Sequence, residues 1–185
     1  SKLKGSVLLP ASKSYSIRAF MTAACGGRSS IIDPSRCDDA LSAASVAKQL
    51  GAKIVRHGDA WDITAGAGRK DLKSINVRES GTVLRMLLPL VALKGMPAVV
   101  TGEGTLKGRP NHHLISTLRN FGVDVKGQGN GHSIPIIFHG GNLRGGALSI
   151  NGSVSSQFVS ALLMACPSLA EDSVVHISGD RLVSS

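Results

Sequence analysis

A chain of 185 residues that is 42% hydrophobic and 18% charged can bury a sizeable core and is not a disordered tail. Its three cysteines, an odd number without paired spacing, argue against a disulfide framework and for a reducing compartment. No apolar run reaches the roughly 18 residues a bilayer span needs, and no signal peptide is visible at the start. Against 12 Asp and Glu stand 21 Lys and Arg, so a net charge of +9 attracts anions: nucleic acid, an anionic membrane surface or small phosphorylated metabolites.

Residues 7–9 read as a strand and 14–25 as a helix, with Gly26 and Gly27 as its stop. A strand at 30–32 and a helix at 38–50, closed by Gly51, lead to two strands at 53–56 and 61–64 joined at Gly58 and Asp59. The order β-α-β-α-β-β then recurs. It gives a strand at 75–77, a helix at 81–93 stopped by Gly95, a strand at 98–101, a helix at 111–121 stopped by Gly122, and strands at 123–126 and 134–138. A third copy begins with a strand at 147–150, a helix at 155–166 ended by Pro167 and a strand at 173–177, and the sequence ends inside it at Ser185. The units run over residues 5–66, 72–140 and 145–185, the last incomplete. A period of about 70 residues is long for a solenoid and suits three units packed around a shared core.

The copies also share chemistry. Each first helix opens on a hydroxyl-rich turn: Ser12-Lys13-Ser14, Ser80-Gly81-Thr82 and Ser153-Val154-Ser155-Ser156. If the units pack with pseudo-threefold symmetry, three helix N-termini converge. Each carries unpaired N–H groups and about half a positive charge, which makes a site for anions, phosphate first of all.

Within 10–18, Lys13 sits at the strand-to-helix turn, Ser14 caps the helix or binds an anion, and Arg18 shares a helix face with Ser14. A Lys and an Arg here oppose the helix dipole, an arrangement that makes sense if an anion fills the site. Glu79-Ser80-Gly81-Thr82 with Arg85 starts the second unit's helix, where an ordinary cap is the plainer reading, although Gly81 permits close backbone approach. The Gly-rich stretch 102–110 matches neither a dinucleotide fingerprint nor a P-loop. Pro110 marks a first helical turn, leaving Arg109 as a planar clamp for carboxylate or phosphate. Ser155 and Ser156 can both donate to a phosphate, where a cap needs only one serine, and Gln157 can read a hydroxyl or ester oxygen. No Cys/His ligand cluster appears, and adjacent His112 and His113 suit a helix start better than a metal site.

Together these four segments resemble the EPSP synthases, the shikimate-pathway enolpyruvyl transferases, in order along essentially the whole chain. The carriers are 9–14 through Arg18, Ser80-Gly81-Thr82 through Arg85, Arg109-Pro110, and the very specific Gly152-Ser153-Val154-Ser155-Ser156-Gln157-Phe158. The tail Gly179-Asp180-Arg181-Leu182-Val183-Ser184 resembles the family's approach to a substrate-binding serine and tyrosine. The resemblance implies an α/β (α+β) fold: an inside-out α/β barrel-type domain of repeated β-α-β-α-β-β units, here two complete and a third truncated. It implies a transferase that moves the enolpyruvyl group of phosphoenolpyruvate to the 5-hydroxyl of shikimate 3-phosphate, on the route to chorismate and the aromatic amino acids. No metal or cofactor takes part, and neither nucleic acid nor membrane is a partner.

By the same resemblance, Lys13, Gly81, Arg109 and Gln157 contact phosphoenolpyruvate, and Ser14, Arg18, Ser155, Ser156, Gln157 and Ser184 hold shikimate 3-phosphate. The acid–base groups lie in a second domain that this sequence lacks, so no catalytic residue is assigned and the isolated chain is expected to be inactive. A cytoplasmic location and a monomeric full-length form also follow from the resemblance. Two positions depart from the family: Glu79 stands where Asn is usual, and Met86 where some members have a Pro that shapes the glyphosate pocket. Two alternatives compete. A UDP-N-acetylglucosamine enolpyruvyl transferase typically has Lys-Asn in the first motif and a loop cysteine in the second unit, and this chain has neither. A basic RNA-binding module of such units would stack bases on aromatics, but one Trp, one Tyr and four Phe lie scattered.

Overall fold

Serine hydroxyls start three of the helices. Ser12 accepts from the Tyr15 N–H, Ser80 from Val83 and Ser155 from Gln157, each satisfying one of the donors a helix start leaves unpaired. The computed structural model describes residues 4–66 and 72–181. In chain order these form α1 (Lys13–Ala23), β1 (Arg28–Ile32), α2 (Asp38–Gln49), β2 (Lys53–His57), β3 (Ala60–Thr64) and β4 (Leu72–Asn76). Then come α3 (Gly81–Ala92), β5 (Ala98–Thr101), a 3-10 turn at Gly104–Gly108, α4 (His112–Asn120), β6 (Asp124–Gln128) and β7 (Ser133–Gly140). The last elements are β8 (Gly146–Asn151), α5 (Ser156–Ala165), a 3-10 turn at Cys166–Ser168 and β9 (Ser173–Ser178).

The sheets show one plan drawn three times. The first is ordered β1-β3-β2 with antiparallel pairs, and β5-β7-β6 repeats that order in the second, where β4 adds a strand parallel to β5. In the third, β8 pairs in parallel with β9, as β4 does with β5. Each parallel pair is bridged by a helix, the connection that parallel strands require.

One expected element is absent. Residues 4–12 form neither helix nor strand. Val7, Leu8 and Leu9 are 85%, 97% and 82% exposed, so the first described unit is α-β-α-β-β. A short apolar run with one β-branched residue suggests a strand, but a strand exists only where a neighbour supplies its ladder, and no described residue does so here.

The helices gather on the inside and the sheets lie around them. α3 is apolar nearly all round, with Val83, Leu84, Met86, Leu87, Leu88, Leu90 and Val91 buried, as a central helix must be. It packs against α1, α2, α4 and α5. Buried Phe20 on α1 meets Trp61 of β3 edge-on, with ring centres 5.3 Å apart, and the Arg56 guanidinium lies 3.6 Å from the Trp61 ring centre. Lys13 at the start of α1 and Ser80 at the start of α3 both meet Asp39 of α2, and Arg85 of α3 bonds Ser155 at the start of α5, so the starts of three helices come to one end of the molecule.

Candidate functional site

None of α1, α3 and α5 has an acidic residue in its first turn, where the dipole would welcome one. α2 is the contrast, with Asp38 and Asp39 in its first turn. The positive helix starts are flanked by basic side chains instead. Lys13 reaches across to Asp39, Nζ to Oδ2 2.9 Å. The Ser80 hydroxyl also hydrogen-bonds this carboxylate, and Arg109 lies near enough for its charge to act on it. Burial pushes the Asp39 carboxyl up, but the hydrogen bonds from Lys13 and Ser80 and the charges of Lys13 and Arg109 outweigh it, leaving the carboxyl below its usual range. The hydrogen bond to Asp39, and then its charge, raise the Lys13 ammonium above the ordinary lysine value.

Gly81 lies directly under Arg109: a Cβ at Gly81 would fall 2.9 Å from Arg109 Nη1. The turn leading into α3 is held firmly. The Arg78 N–H donates to Asn76 Oδ1 at 2.7 Å, and the Glu103 N–H to the Arg78 carbonyl at 2.7 Å. Arg78 itself sits at φ 53°, a strained conformation for a residue with a side chain. An open cavity of 660 Å³ at this end is lined by Lys13, Asp39, Ser80 and Arg109 among others.

A second set joins α3 to α5. Arg85 Nη1 donates to Ser155 Oγ at 3.0 Å and to Gln157 Oε1 at 3.0 Å. Gln157 Nε2 in turn donates to Thr82 Oγ1 at 3.1 Å. The Arg85 guanidinium lies 4.9 Å from the Phe158 ring centre. Its burial, and then the charge of Arg109, pull its pKa below the ordinary arginine value. The charge of Arg109 therefore acts on both sets, on Asp39 in the first and on Arg85 in the second.

Of the residues expected to bind, Lys13, Gly81, Arg109, Ser155 and Gln157 meet in this cluster. Ser14 opens α1 on an exposed face, and Ser156 sits in the first turn of α5. Arg18 turns back on its own helix, its Nη1 donating to the Ser14 carbonyl at 3.3 Å. Ser184 lies outside the described residues. Glu79 pairs with neither Arg78 nor Lys13; its carboxylate lies against the backbone of Gly104, and Asp39 takes the lysine instead. His112 opens α4, its ring 3.9 Å from that of His113. No group of three or more His, Cys, Asp or Glu among the described residues could hold a metal.

The model of the family described as EPSP synthase (3-phosphoshikimate 1-carboxyvinyltransferase) matches residues 1–185. The chain belongs to the EPSP synthase family. A 3-phosphoshikimate 1-carboxyvinyltransferase of Methanocella arvoryzae is 38% identical over 183 residues, which cover 97% of this chain and 43% of that protein. One from Methanothermobacter thermautotrophicus is 39% identical over 181 residues, covering 96% of this chain and 42% of that one. The chain thus spans less than half the length of these relatives. EPSP synthase from Acinetobacter baumannii has the same fold over 96% of this chain and 41% of its own, with a TM-score of 0.82 at 22% sequence identity. For an EPSP synthase family member, two of the clustered residues went unassigned as site residues in the sequence. Asp39 is hidden because an acid in a first helical turn already has an ordinary explanation. Arg85 is visible in its motif, but its partners are 70 and 72 residues away.

Proposed function

We propose that this chain supplies the anion-binding part of a 3-phosphoshikimate 1-carboxyvinyltransferase. In that reaction the shikimate 3-phosphate 5-hydroxyl attacks the central carbon of phosphoenolpyruvate while the methylene takes a proton. The hydroxyl loses its proton to a base as the C–O bond forms; loss of phosphate from the tetrahedral intermediate together with a proton from its methyl group then restores the C=C bond and gives the enolpyruvyl ether. Both substrates are multiply charged anions. The observation that carries the reading is the meeting of acid-free helix starts with Lys13 and Arg109. Such a site binds phosphate and carboxylate through oriented N–H groups and fixed cations.

In this reading Lys13, Gly81, Arg109 and Gln157 face phosphoenolpyruvate. Ser14, Arg18, Ser155, Ser156, Gln157 and Ser184 hold shikimate 3-phosphate. Arg18 then leaves the Ser14 carbonyl for the ligand. Proton transfer falls to residues of the longer protein. We further propose, from the same resemblance, a cytoplasmic location and a monomeric full-length form with neither nucleic acid nor membrane as a partner. Among the described residues no helix is long and apolar enough to cross a membrane.

Titration of the isotope-labelled chain with shikimate 3-phosphate, followed by amide NMR, tests the reading. Shifts are expected at the starts of α1, α3 and α5, with weak affinity and no turnover when phosphoenolpyruvate is added. Steeply salt-dependent RNA binding with no response to shikimate 3-phosphate would overturn it in favour of a nucleic-acid module.

A further inference from the structure

The Ser155 hydroxyl and the Gln157 carboxamide are 3% and 8% exposed at the residue level, and both are held by one nitrogen. Arg85 Nη1 carries two hydrogens, one donated to Ser155 Oγ and one to Gln157 Oε1, both at 3.0 Å. Ser155 Oγ also accepts the Gln157 backbone N–H at 3.2 Å. A hydroxyl has two acceptor lone pairs and one proton. With both lone pairs filled, Ser155 can act further only as a donor. The carboxamide is fixed by the same logic: its oxygen faces the guanidinium, so its nitrogen faces Thr82.

The charge of Arg85 is not spent on an acid. Among the described residues no carboxylate forms an ion pair with it, the charge that acts on it is that of the repelling Arg109, and its Cζ lies over the Phe158 ring, 4.9 Å from the centre. A half-buried cation between neutral partners is costly unless those partners are what it is for. The ion also ties a residue of α3 to the start of α5, so two repeats share one anion-binding surface.

We propose that Arg85 is a positioning residue: its guanidinium orients the Ser155 hydroxyl as a donor and locks the Gln157 amide, making one anion cradle from the starts of α3 and α5. The inference rests on the anion-site reading above. Arg85 acts through Ser155 and Gln157 rather than by touching the anion, and this separates it from Lys13 and Arg109.

A double-mutant cycle on the full chain, read by calorimetry or NMR with shikimate 3-phosphate, tests this. Arg85→Ala is expected to weaken binding about 10- to 100-fold, the range for stranding buried partners of a charged donor. In a Gln157→Ala/Ser155→Ala background the same change should cost less than about 3-fold, because its targets are already gone. In the ligand-free chain, Arg85→Ala should also shift the Gln157 side-chain amide resonances, a local signature that a general loss of stability would not give. Losses that simply add, or an unaltered affinity in Arg85→Ala, would overturn the inference and leave the anion site standing. Failure of the unmodified chain to bind would overturn both. If Arg85→Ala does not fold, Arg85→Lys serves. It keeps the charge but loses the planar fork, so positioning expects at least a 5-fold loss, and an unchanged affinity refutes it.

Discussion

Helix starts and helix ends in this molecule are finished by opposite means. At the C-terminal ends of α2 and α4 the backbone closes on itself: the Ala52 N–H returns to the Ala47 carbonyl at 3.0 Å, and the Val123 N–H to Leu118 at 3.1 Å. These six-to-one bonds satisfy carbonyls that a helix end would otherwise leave open. The segment 140–144 is then wedged against the end of α4, with the Arg144 N–H on the Phe121 carbonyl at 2.9 Å. At the N-terminal ends, α1, α3 and α5 have one serine cap each, no acid in the first turn, and basic side chains from other elements close by. One end is complete within the protein, while the other is complete only when something negative arrives. Substitutions should therefore separate stability from binding according to the end they fall on.

The sharpest separation should come from Gly141→Ala at the closed end. Gly141 has φ 87°, and a Cβ there would strike the Gly122 carbonyl oxygen and stand 3.1 Å from the Asp124 nitrogen. Left-handed strain and overpacking together should cost about 2–5 kcal/mol. Urea denaturation should show that loss, whereas affinity for shikimate 3-phosphate, measured where the variant is still folded, should hold within about 2-fold. Lost affinity in a fully folded variant would break the division between the ends.

Gly81→Ala is the reverse case. The new methyl meets the far end of Arg109, which can swing away, so the midpoint of unfolding should move by less than about 0.5 kcal/mol. Anion affinity should nevertheless fall about 10-fold, because the displaced guanidinium no longer shares the start of α3. Calorimetric titration checks this, and unaltered binding would remove Arg109 from the site.

Asp39→Asn should give the smallest and most informative effect. The carboxylate occupies Lys13 and influences Arg109 in the ligand-free protein, so removing it should tighten anion binding by about 2- to 5-fold while costing less than about 1 kcal/mol for a solvent-accessible pair. The sign with pH follows from the lowered carboxyl. Its stabilisation is complete above the usual carboxylate range and is lost as pH falls through the lower value of the folded state. The raised ammonium of Lys13 works the other way, its contribution complete below the ordinary lysine value and lost as pH rises past the raised one. The stability difference between the native chain and Asp39→Asn should thus vanish in strong acid, and in strong base it should shrink to the share held by the Ser80 hydroxyl and the Arg109 charge. A difference that persisted in strong acid would contradict the pairing.

Much of this was legible because local chemistry punctuates the chain. Gly51, Gly95 and Gly122 closed helices where glycine chemistry says they should, and the hydroxyl-rich turns at 12–14, 80–82 and 153–156 opened them, although the cap of α1 is Ser12 rather than the expected Ser14. The repeat order predicted strands at 147–150 and 173–177 around a helix, and β8 and β9 flank α5 as expected. What sequence could not give was whatever depends on a distant partner. The apolar run 7–9 has the right residues for a strand and no described neighbour to make it one. Arg85 required the packing of α3 on α5, and Asp39 required α1 and α2 to lie together, before either could be seen at the site. Arg18 was placed on the correct helix face, yet its own turn offers a carbonyl acceptor in the ligand-free state.

The pairing of Phe20 with Trp61 has an optical consequence. Trp61 is the only tryptophan in the chain, 2% exposed, flanked by a ring from α1 and a guanidinium from β2. Indole emission therefore originates wholly within the first repeat, from a dry environment that abuts the very helix bearing Lys13. The fluorescence of this chain is a built-in gauge of one repeat out of three, able to register α1 loosening while the others stay shut.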